Sequence, residues 1–239
     1  MELHGQRVVV LGGTSGIGLA TARAAAERGA DVVVASSRRT SVDKALAELP
    51  SGSTGHVADL SEPAAIEALF AQLDPIDHLV YTAGESLELR TLAELDLDAA
   101  KSFFTVRYFG ALASVRAAAP RLRPGGSITL TTGVAKDRPR AGWALGASVC
   151  GAVEALTRAL AVELAPLRVN AVSPGVVRTE LWAAMDPAAR ERMYAEVGAA
   201  IPAGRVGEVA DIAQAYLYCL TQSFATGTVL TTDGGTVLV

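Results

Sequence analysis

The chain has few of the residues that build disulfide frameworks, metal centres and nucleic-acid surfaces. Its 2 cysteines and 3 histidines exclude a disulfide framework and predict no metal site; His4, His56 and His78 are interpreted as surface or strand-edge residues. A net charge of -4 predicts no nucleic-acid partner. Apolar runs are short, as at residues 8–11, and the N-terminus lacks the features of a signal peptide. We therefore expect no membrane partner and a cytoplasmic protein.

The residues that are abundant indicate a folded α/β domain. Half of the chain is hydrophobic, only 19% is charged, and there are 23 glycines among 239 residues. Buried parallel strands and closely packed helices need such apolar and small residues. The length suits one large domain, so residues 1–239 are predicted to form a single unit.

Short β-branched runs alternate with helical stretches along the whole sequence. Strands are predicted at residues 7–11, 32–35, 55–58, 79–82, 127–131, 167–172 and 228–230. Such alternation indicates a doubly wound parallel sheet of about seven strands, with helices on both faces, of the Rossmann type. Residues 180–204 combine Trp, Met and Tyr with charges, which predicts a mobile helical flap.

A glycine-rich loop directly follows the first predicted strand. In Leu11-Gly-Gly-Thr-Ser-Gly-Ile-Gly18 the glycines allow a tight turn at the start of a helix, with backbone N–H groups facing outward. An ordinary strand-to-helix turn is the alternative, but the position after the first strand favours a pyrophosphate site. The residues predicted to contact it are Gly12, Thr14, Ser15, Gly16, Ile17 and Gly18.

This loop resembles the Thr-Gly-xxx-Gly-Ile-Gly loop of the short-chain dehydrogenase/reductase family, with Leu11 in place of the threonine. Similar matches occur at Asp59-Leu60, at Ala83-Gly84, at residues 170–179 and at Asp233-Gly234-Gly235, so the resemblance covers nearly the whole chain. It implies a nicotinamide cofactor. The further cofactor contacts that the resemblance implies are Asp59, Leu60, Ala83, Gly84, Pro174, Gly175, Val177 and Thr179.

The end of the second strand predicts which nicotinamide cofactor binds. An NAD-preferring relative carries an acidic residue here, whereas this chain has Ser36, Ser37, Arg38 and Arg39. A carboxylate would repel a 2′-phosphate, while hydroxyl and guanidinium groups would bind it. NADP(H) is therefore the predicted cofactor, with solvent-exposed arginines as the alternative interpretation.

The resemblance fails at the four positions where the family carries its catalytic residues. The family's tyrosine falls on Gly146 and its lysine, four residues later, on Cys150. The family's serine falls on Gly133, and a shift of one residue would make Thr132 a substitute hydroxyl. The family's asparagine falls on Arg107. The usual proton-transfer groups are thus predicted to be missing.

Arg107 is the main candidate to compensate for this loss. The guanidinium would fill the space vacated at Gly146 and Cys150 and stabilise a developing oxyanion without giving up its proton. A structural or interface role for Arg107 is an equally open interpretation. Cys150 is a candidate nucleophile or redox group, although Cys150 and Cys219 also suit simple packing, and Tyr108 is either a replacement acid or a core residue.

Three functions fit these observations. The first is an NADP(H)-dependent reductase of activated small-molecule carbonyls, such as quinones or diketones, whose reduced oxygen needs little help from an acid. The second is a catalytically silent NADP(H)-binding sensor or regulator, and the third is a lyase or dehalogenase that uses the same pocket. Small residues from Ala147 to Ala159 further predict a homodimer or homotetramer.

Overall fold

Seven parallel strands form the central sheet. A computed structural model describes residues 3–85, 87 and 89–239, and orders the strands β3-β2-β1-β4-β5-β6-β7. The strands are β1 (Arg7–Leu11), β2 (Asp31–Ser36), β3 (Thr54–Val57), β4 (Ile76–Tyr81), β5 (Leu122–Thr131), β6 (Arg168–Pro174) and β7 (Val229–Thr232). The predicted fold class, a seven-stranded doubly wound parallel sheet, is confirmed.

Helices cover both faces of this sheet. They are α1 (Gly16–Ala26), α2 (Arg39–Glu48), α3 (Pro63–Ala71), α4 (Leu97–Phe104), α5 (Ala111–Ala118), α6 (Ala144–Glu163), α7 (Pro187–Ala200) and α8 (Val209–Thr221). A π-helical turn (Thr105–Gly110) joins α4 to α5. Such wide turns often occur at functional sites, which makes this junction a candidate part of a functional site.

The strands are apolar on both sides because both sides are buried. In β1, Val9 and Leu11 pack into the core beneath α3, α5 and α6, whereas Val8 and Val10 pack on the opposite side beneath α1 and α8. This alternation follows from the two-residue repeat of a strand. Burial of one such side chain is worth about 1.5–3 kcal/mol, so the sheet fixes its loops on a rigid base.

The carboxyl ends of all the strands lie along one edge of the sheet, since the strands are parallel. The direction of chain crossover reverses between the neighbouring strands β1 and β4. In open α/β sheets a ligand crevice forms at this switch point. The fold therefore brings together the loops that follow β1, β4, β5 and β6.

The predicted flap is helical. It consists of a 3₁₀ turn (Glu180–Trp182) followed by α7, and Trp182 packs with Tyr194 and Val206 in a small apolar cluster of its own. The indole Nε1 of Trp182 also donates to the carbonyl of Val177 at 3.1 Å. The flap is thus attached to the loop that follows β6, and its mobility stays a prediction.

Helix α6 is more apolar than the short apolar runs of the sequence indicated. Its 20 residues include an 18-residue window of mean hydropathy 1.4, which by length and composition alone matches a membrane span. Core helices of soluble proteins pass the same test. One side of α6 lies against β6 and the sheet core through Val153 and Leu160, and 22% of the window is buried within this chain. Cys219, on α8, is buried as predicted.

The interpretation of His78 as a surface or strand-edge residue is wrong. His78 lies on β4, inside the sheet, and is only 3% exposed. Its ring nitrogens are hydrogen-bonded to Ser127 Oγ at 2.8 Å and to Gln6 Oε1 at 2.9 Å. These polar partners compensate for burial of the ring, and a single sequence does not reveal them because they come from distant parts of the chain.

Candidate functional site

The glycine loop makes a close approach to the end of β4. Gly12 has φ +83°, and a Cβ added there would lie 2.6 Å from the backbone nitrogen of Ala83. A Cβ on Gly18 would collide with the carbonyl oxygen of Gly12. Gly16, at φ +51°, faces more open space, since the nearest described atoms to an added Cβ belong to Thr179 at 3.7 Å. The loop therefore needs glycine for its turn and leaves a cradle above Gly16.

The backbone N–H groups of this cradle are available to a ligand. Within the described chain, those of Thr14, Ser15, Gly16, Ile17 and Gly18 have no hydrogen-bond acceptor. Helix α1 begins at Gly16, and its N-cap Ser15 makes no side-chain capping bond. Unpaired N–H groups and the positive end of the helix dipole together favour a phosphate. The predicted pyrophosphate site thus has suitable geometry.

The loop after β2 carries an exposed cation at the start of α2. Ser36 is partly buried at the end of the strand, while Ser37 and Arg38 are exposed. Arg38 is the N-cap residue of α2 and has no ion-pair partner in the described chain, whereas Arg39 lies 3.8 Å from Asp43. The arrangement leaves Arg38 free to meet an anion at the start of α2.

The Asp59-Leu60 pair follows the third strand and lies beside this loop. The backbone N–H of Ala58 donates to the carbonyl of Ser36 at 3.0 Å, which brings the two loops together. Asp59 Oδ1 accepts from the hydroxyl of Ser61 at 2.7 Å and from its N–H at 2.9 Å. The hydroxyl contact chiefly lowers the pKa of the Asp59 carboxyl, so it is ionised at neutral pH. Leu60 is buried beneath it.

The loop after β6 closes the other side of the cradle. Pro174 ends the strand. A Cβ on Gly175 would lie 2.8 Å from Cα of Asp233, so the loop packs tightly against the Asp233-Gly234-Gly235 segment. Val177 is 4% exposed, while Thr179 stands beside the glycine loop and accepts from the N–H of Leu181. These predicted contacts therefore border one site.

An open cleft of about 400 Å³ lies between the glycine loop and the flap. Its wall includes Gly16, Thr179, Arg178 and Tyr194. Arg178 donates to both carboxylate oxygens of Glu191 on α7, at 3.0 and 2.8 Å, and its Cζ lies 4.4 Å from the ring centroid of Tyr194. The arginine thus ties the flap helix to the loop that borders the site.

Two of the predicted catalytic residues are engaged with each other. Thr132 donates its hydroxyl proton to the carbonyl of Cys150 at 2.8 Å, so this proton is directed at the α6 backbone. The Cys150 sulfur lies 3.3 Å from a Cβ built on Gly133, the position that the resemblance assigns to the family's serine. Burial raises the pKa of the Cys150 thiol, which favours its neutral form.

The space beside Gly146 is not filled. Gly146 is buried on α6, yet apart from the adjoining residues and backbone of α6 itself, no heavy atom of the described residues comes within 4 Å of an added Cβ. The resemblance assigns the family's tyrosine to this position. The expectation that the Arg107 guanidinium fills the space at Gly146 is therefore wrong. Its guanidinium lies nearer to the end of β4.

Arg107 lies flat over Gly84 with most of its surface buried. An added Cβ on Gly84 would be 2.7 Å from Nη1 and 2.8 Å from Cζ of the guanidinium. The Phe103 ring centroid lies 4.9 Å from Cζ on another side. Burial is the main influence on Arg107 and lowers its pKa, while the charges of Glu85 and Cys150 act against this. The guanidinium thus lies within electrostatic reach of the Cys150 thiol.

The backbone that carries Arg107 is the π-helical turn. The buried Tyr81 hydroxyl donates to the carbonyl of Val106 at 2.6 Å, and the carboxylate of Glu85 accepts from the Val106 N–H at 3.0 Å. Tyr81 and Glu85 thus hold the backbone of the turn from which Arg107 projects. Tyr108 packs partly buried against the core, which matches its alternative interpretation.

Sequence reasoning missed two charged residues near this site. Glu85, directly after Ala83-Gly84, forms the ion pair with Arg107 at 3.6 Å. Lys136 follows β5 and lies 2.6 Å from Glu154 on α6, one helical turn beyond Cys150. Glu85 directly follows the Ala83-Gly84 match, and this position could have indicated that it lies near the site. The local sequence around Lys136 contains no comparable indication.

The fold and the cradle define a nucleotide-binding α/β protein of the Rossmann type. The model of the SDR-like Rossmann domain matches residues 2–239. The chain belongs to the short-chain dehydrogenase/reductase family. The cradle of unpaired N–H groups fits the nicotinamide dinucleotide that this family's fold binds.

Individual relatives cover the whole chain. The short-chain dehydrogenase/reductase ucsE of an Acremonium species is 37% identical over 99% of this chain and 97% of its own. A small-chain dehydrogenase crystallised with NADPH is 36% identical, with a TM-score of 0.88 over 98% of this chain and 99% of its own. The MalC reductase/Diels-Alderase of Malbranchea aurantiaca is 32% identical, with a TM-score of 0.92 over 99% and 98%. The chain is thus similar to named reductases throughout its length.

Proposed function

We propose that the protein is an NADPH-dependent oxidoreductase that reduces activated carbonyls, such as quinones or diketones. When bound, the cofactor supplies the hydride. Arg107 would stabilise the negative charge that develops on the carbonyl oxygen. The observation that carries this proposal is the guanidinium over Gly84, whose Nη1 has no acceptor in the described chain.

The choice of NADPH rests on the loop after β2. Arg38 is exposed at the N-terminus of α2 without an ion-pair partner among the described residues, and no carboxylate is present from Ser36 to Arg39. A 2′-phosphate there would gain a charge-assisted hydrogen bond. The NADPH in the crystal structure of the relative supports the same choice.

The substrate class follows from the three candidate catalytic residues, none of which is a ready general acid. Arg107 holds its proton, the Thr132 hydroxyl donates to a backbone carbonyl, and the Cys150 thiol has a raised pKa. An ordinary ketone becomes a strongly basic alkoxide that must be protonated, so it loses the factor of about 10² to 10⁴ that a general acid contributes. A quinone or diketone gives a delocalised anion, for which a fixed cation is sufficient.

Steady-state NADPH oxidation with matched substrates tests this function. We expect a quinone to react about 100-fold faster than a simple ketone of similar size. Arg107→Ala should lower quinone turnover, while Arg116→Ala, which removes an exposed arginine paired with Glu67, should not. Equal rates on both substrates would overturn the proposal. Tight NADPH binding without turnover on either substrate would favour the sensor function instead.

A further inference from the structure

Glu85 contacts Arg107 at two points and the preceding residue, Val106, at a third. The Glu85 carbonyl accepts from Arg107 Nη2, and Glu85 Oε2 lies 3.6 Å from Arg107 Nε. The other carboxylate oxygen, Oε1, accepts from the N–H of Val106 at 3.0 Å. Glu85 therefore binds both the Arg107 guanidinium and the π-helical turn from which Arg107 projects.

The two charges depend on each other because both are largely removed from water. The Arg107 side chain is 20% exposed and that of Glu85 is 34% exposed. Arg107 Nε and Glu85 Oε2 are themselves buried, and neither has a hydrogen bond in the described chain. A buried charge without its partner is costly, so the pair restrains the guanidinium more than an exposed salt bridge would.

The remaining contacts leave one guanidinium nitrogen for a ligand. Gly84 lies beneath the guanidinium, and the Phe103 ring lies 4.9 Å from its Cζ. Nη2 is bonded to the Glu85 carbonyl and Nε faces its carboxylate. Nη1 alone has neither a hydrogen bond nor an ion pair within the described residues. The contacts with Glu85 thus engage Nη2 and Nε and leave Nη1 as the donor without an acceptor.

We propose that Glu85 is a positioning residue, which fixes the Arg107 guanidinium so that Nη1 points at the developing oxyanion. This inference rests on the proposed function, because it needs Arg107 to act on the substrate. Glu85 touches neither substrate nor cofactor and acts through Arg107. Since a fixed donor favours the transition state over the ground state, its loss lowers kcat and changes KM little.

Glu85→Gln and Tyr81→Phe separate positioning from simple support of the turn. The glutamine keeps an acceptor for the Val106 N–H but removes the charge opposite Arg107. The phenylalanine removes the hydrogen bond to the Val106 carbonyl and leaves the ion pair intact. We expect Glu85→Gln to lower kcat on a quinone by about tenfold with KM unchanged, and Tyr81→Phe to lower chiefly the melting temperature. The reverse pattern, or a Glu85→Gln protein that does not fold, would overturn the positioning role.

A double-mutant cycle with Arg107→Ala gives the decisive result. If Glu85 acts through Arg107, Glu85→Gln lowers kcat no further in a protein that already carries Arg107→Ala. NADPH titration by fluorescence provides a second measurement, in which we expect dissociation constants to stay within about twofold across the cycle. Additive losses of kcat, or an equal loss of NADPH affinity in every variant, would refute positioning. Absence of any effect of Arg107→Ala would instead refute the proposed function, so the two failures are distinguishable.

Discussion

Replacing Gly84 by alanine would displace the Arg107 guanidinium without removing its charge. The added Cβ would lie 2.7 Å from Nη1, whereas ordinary contact begins at 3.4 Å, so the guanidinium must move by about 0.7 Å. A misplacement of about 1 Å near reacting atoms can lower a rate about 100-fold. We therefore expect Gly84→Ala to lower kcat for quinone reduction by about 10- to 100-fold. Steady-state NADPH oxidation measures this.

Gly146→Ala is the matched control for this substitution. It adds the same methyl group to the other side of the site, where no described heavy atom lies within 4 Å of the new Cβ. We expect its kcat to be unchanged. Both variants should keep their melting temperatures, because the displaced guanidinium is the end of a flexible side chain. A Gly84→Ala enzyme with full kcat would refute the idea that the position of Arg107 matters to the reaction.

Three further outcomes follow from the structure. Burial lowers the pKa of His78 to about 4, whereas an imidazole in the unfolded chain titrates at about 6.5. The unfolded chain therefore binds a proton at His78 first, and the free energy of unfolding decreases as the pH falls from about 6.5 to about 4. In urea unfolding, His78→Gln should remove up to about 3 kcal/mol of this pH-dependent loss. Arg38→Ser should weaken NADPH binding about tenfold in fluorescence titration while NADH binding is unchanged, and an equal effect on both would contradict the 2′-phosphate site. Cys150→Ser should keep kcat within about twofold, because burial favours the neutral thiol; a loss of about 100-fold would contradict a packing role for Cys150.

The fold was predictable because its determinants are local and repeated. All seven strands were predicted, and the largest boundary difference is in β5, which begins at Leu122 rather than at residue 127. Residues 122–126 contain Pro124 and two glycines, which are unfavourable strand residues in isolation. Pairing with β4 overrides that preference, since Ile76 is in register with Leu122. Tertiary context of this kind is absent from a local pattern.

The cradle was also predictable from local sequence, because the conformation of its backbone requires glycine at Gly12 and Gly18. The surroundings of Arg107 were not, because they depend on the π-helical turn and on Glu85, which lies 22 positions earlier in the chain. Helical periodicity assigns side chains to faces at 3.6 residues per turn, and a π turn changes that assignment. The open space beside Gly146 is likewise a property of packing that the sequence does not express.

The acidity of the reduced product decides which substrates such a site can serve. An alkoxide is about as basic as hydroxide, so ketone reduction needs a nearby proton. A hydroquinone resembles a phenol, with a pKa near ~10, and its anion survives until solvent protonates it. The same groups act in both directions of a reversible reaction, so a fixed cation without a proton donor disfavours alcohol oxidation as strongly as ketone reduction. Arg107 and its carboxylate partner therefore suit carbonyls whose reduced form is acidic, and this follows from the chemistry of the guanidinium, which holds its proton.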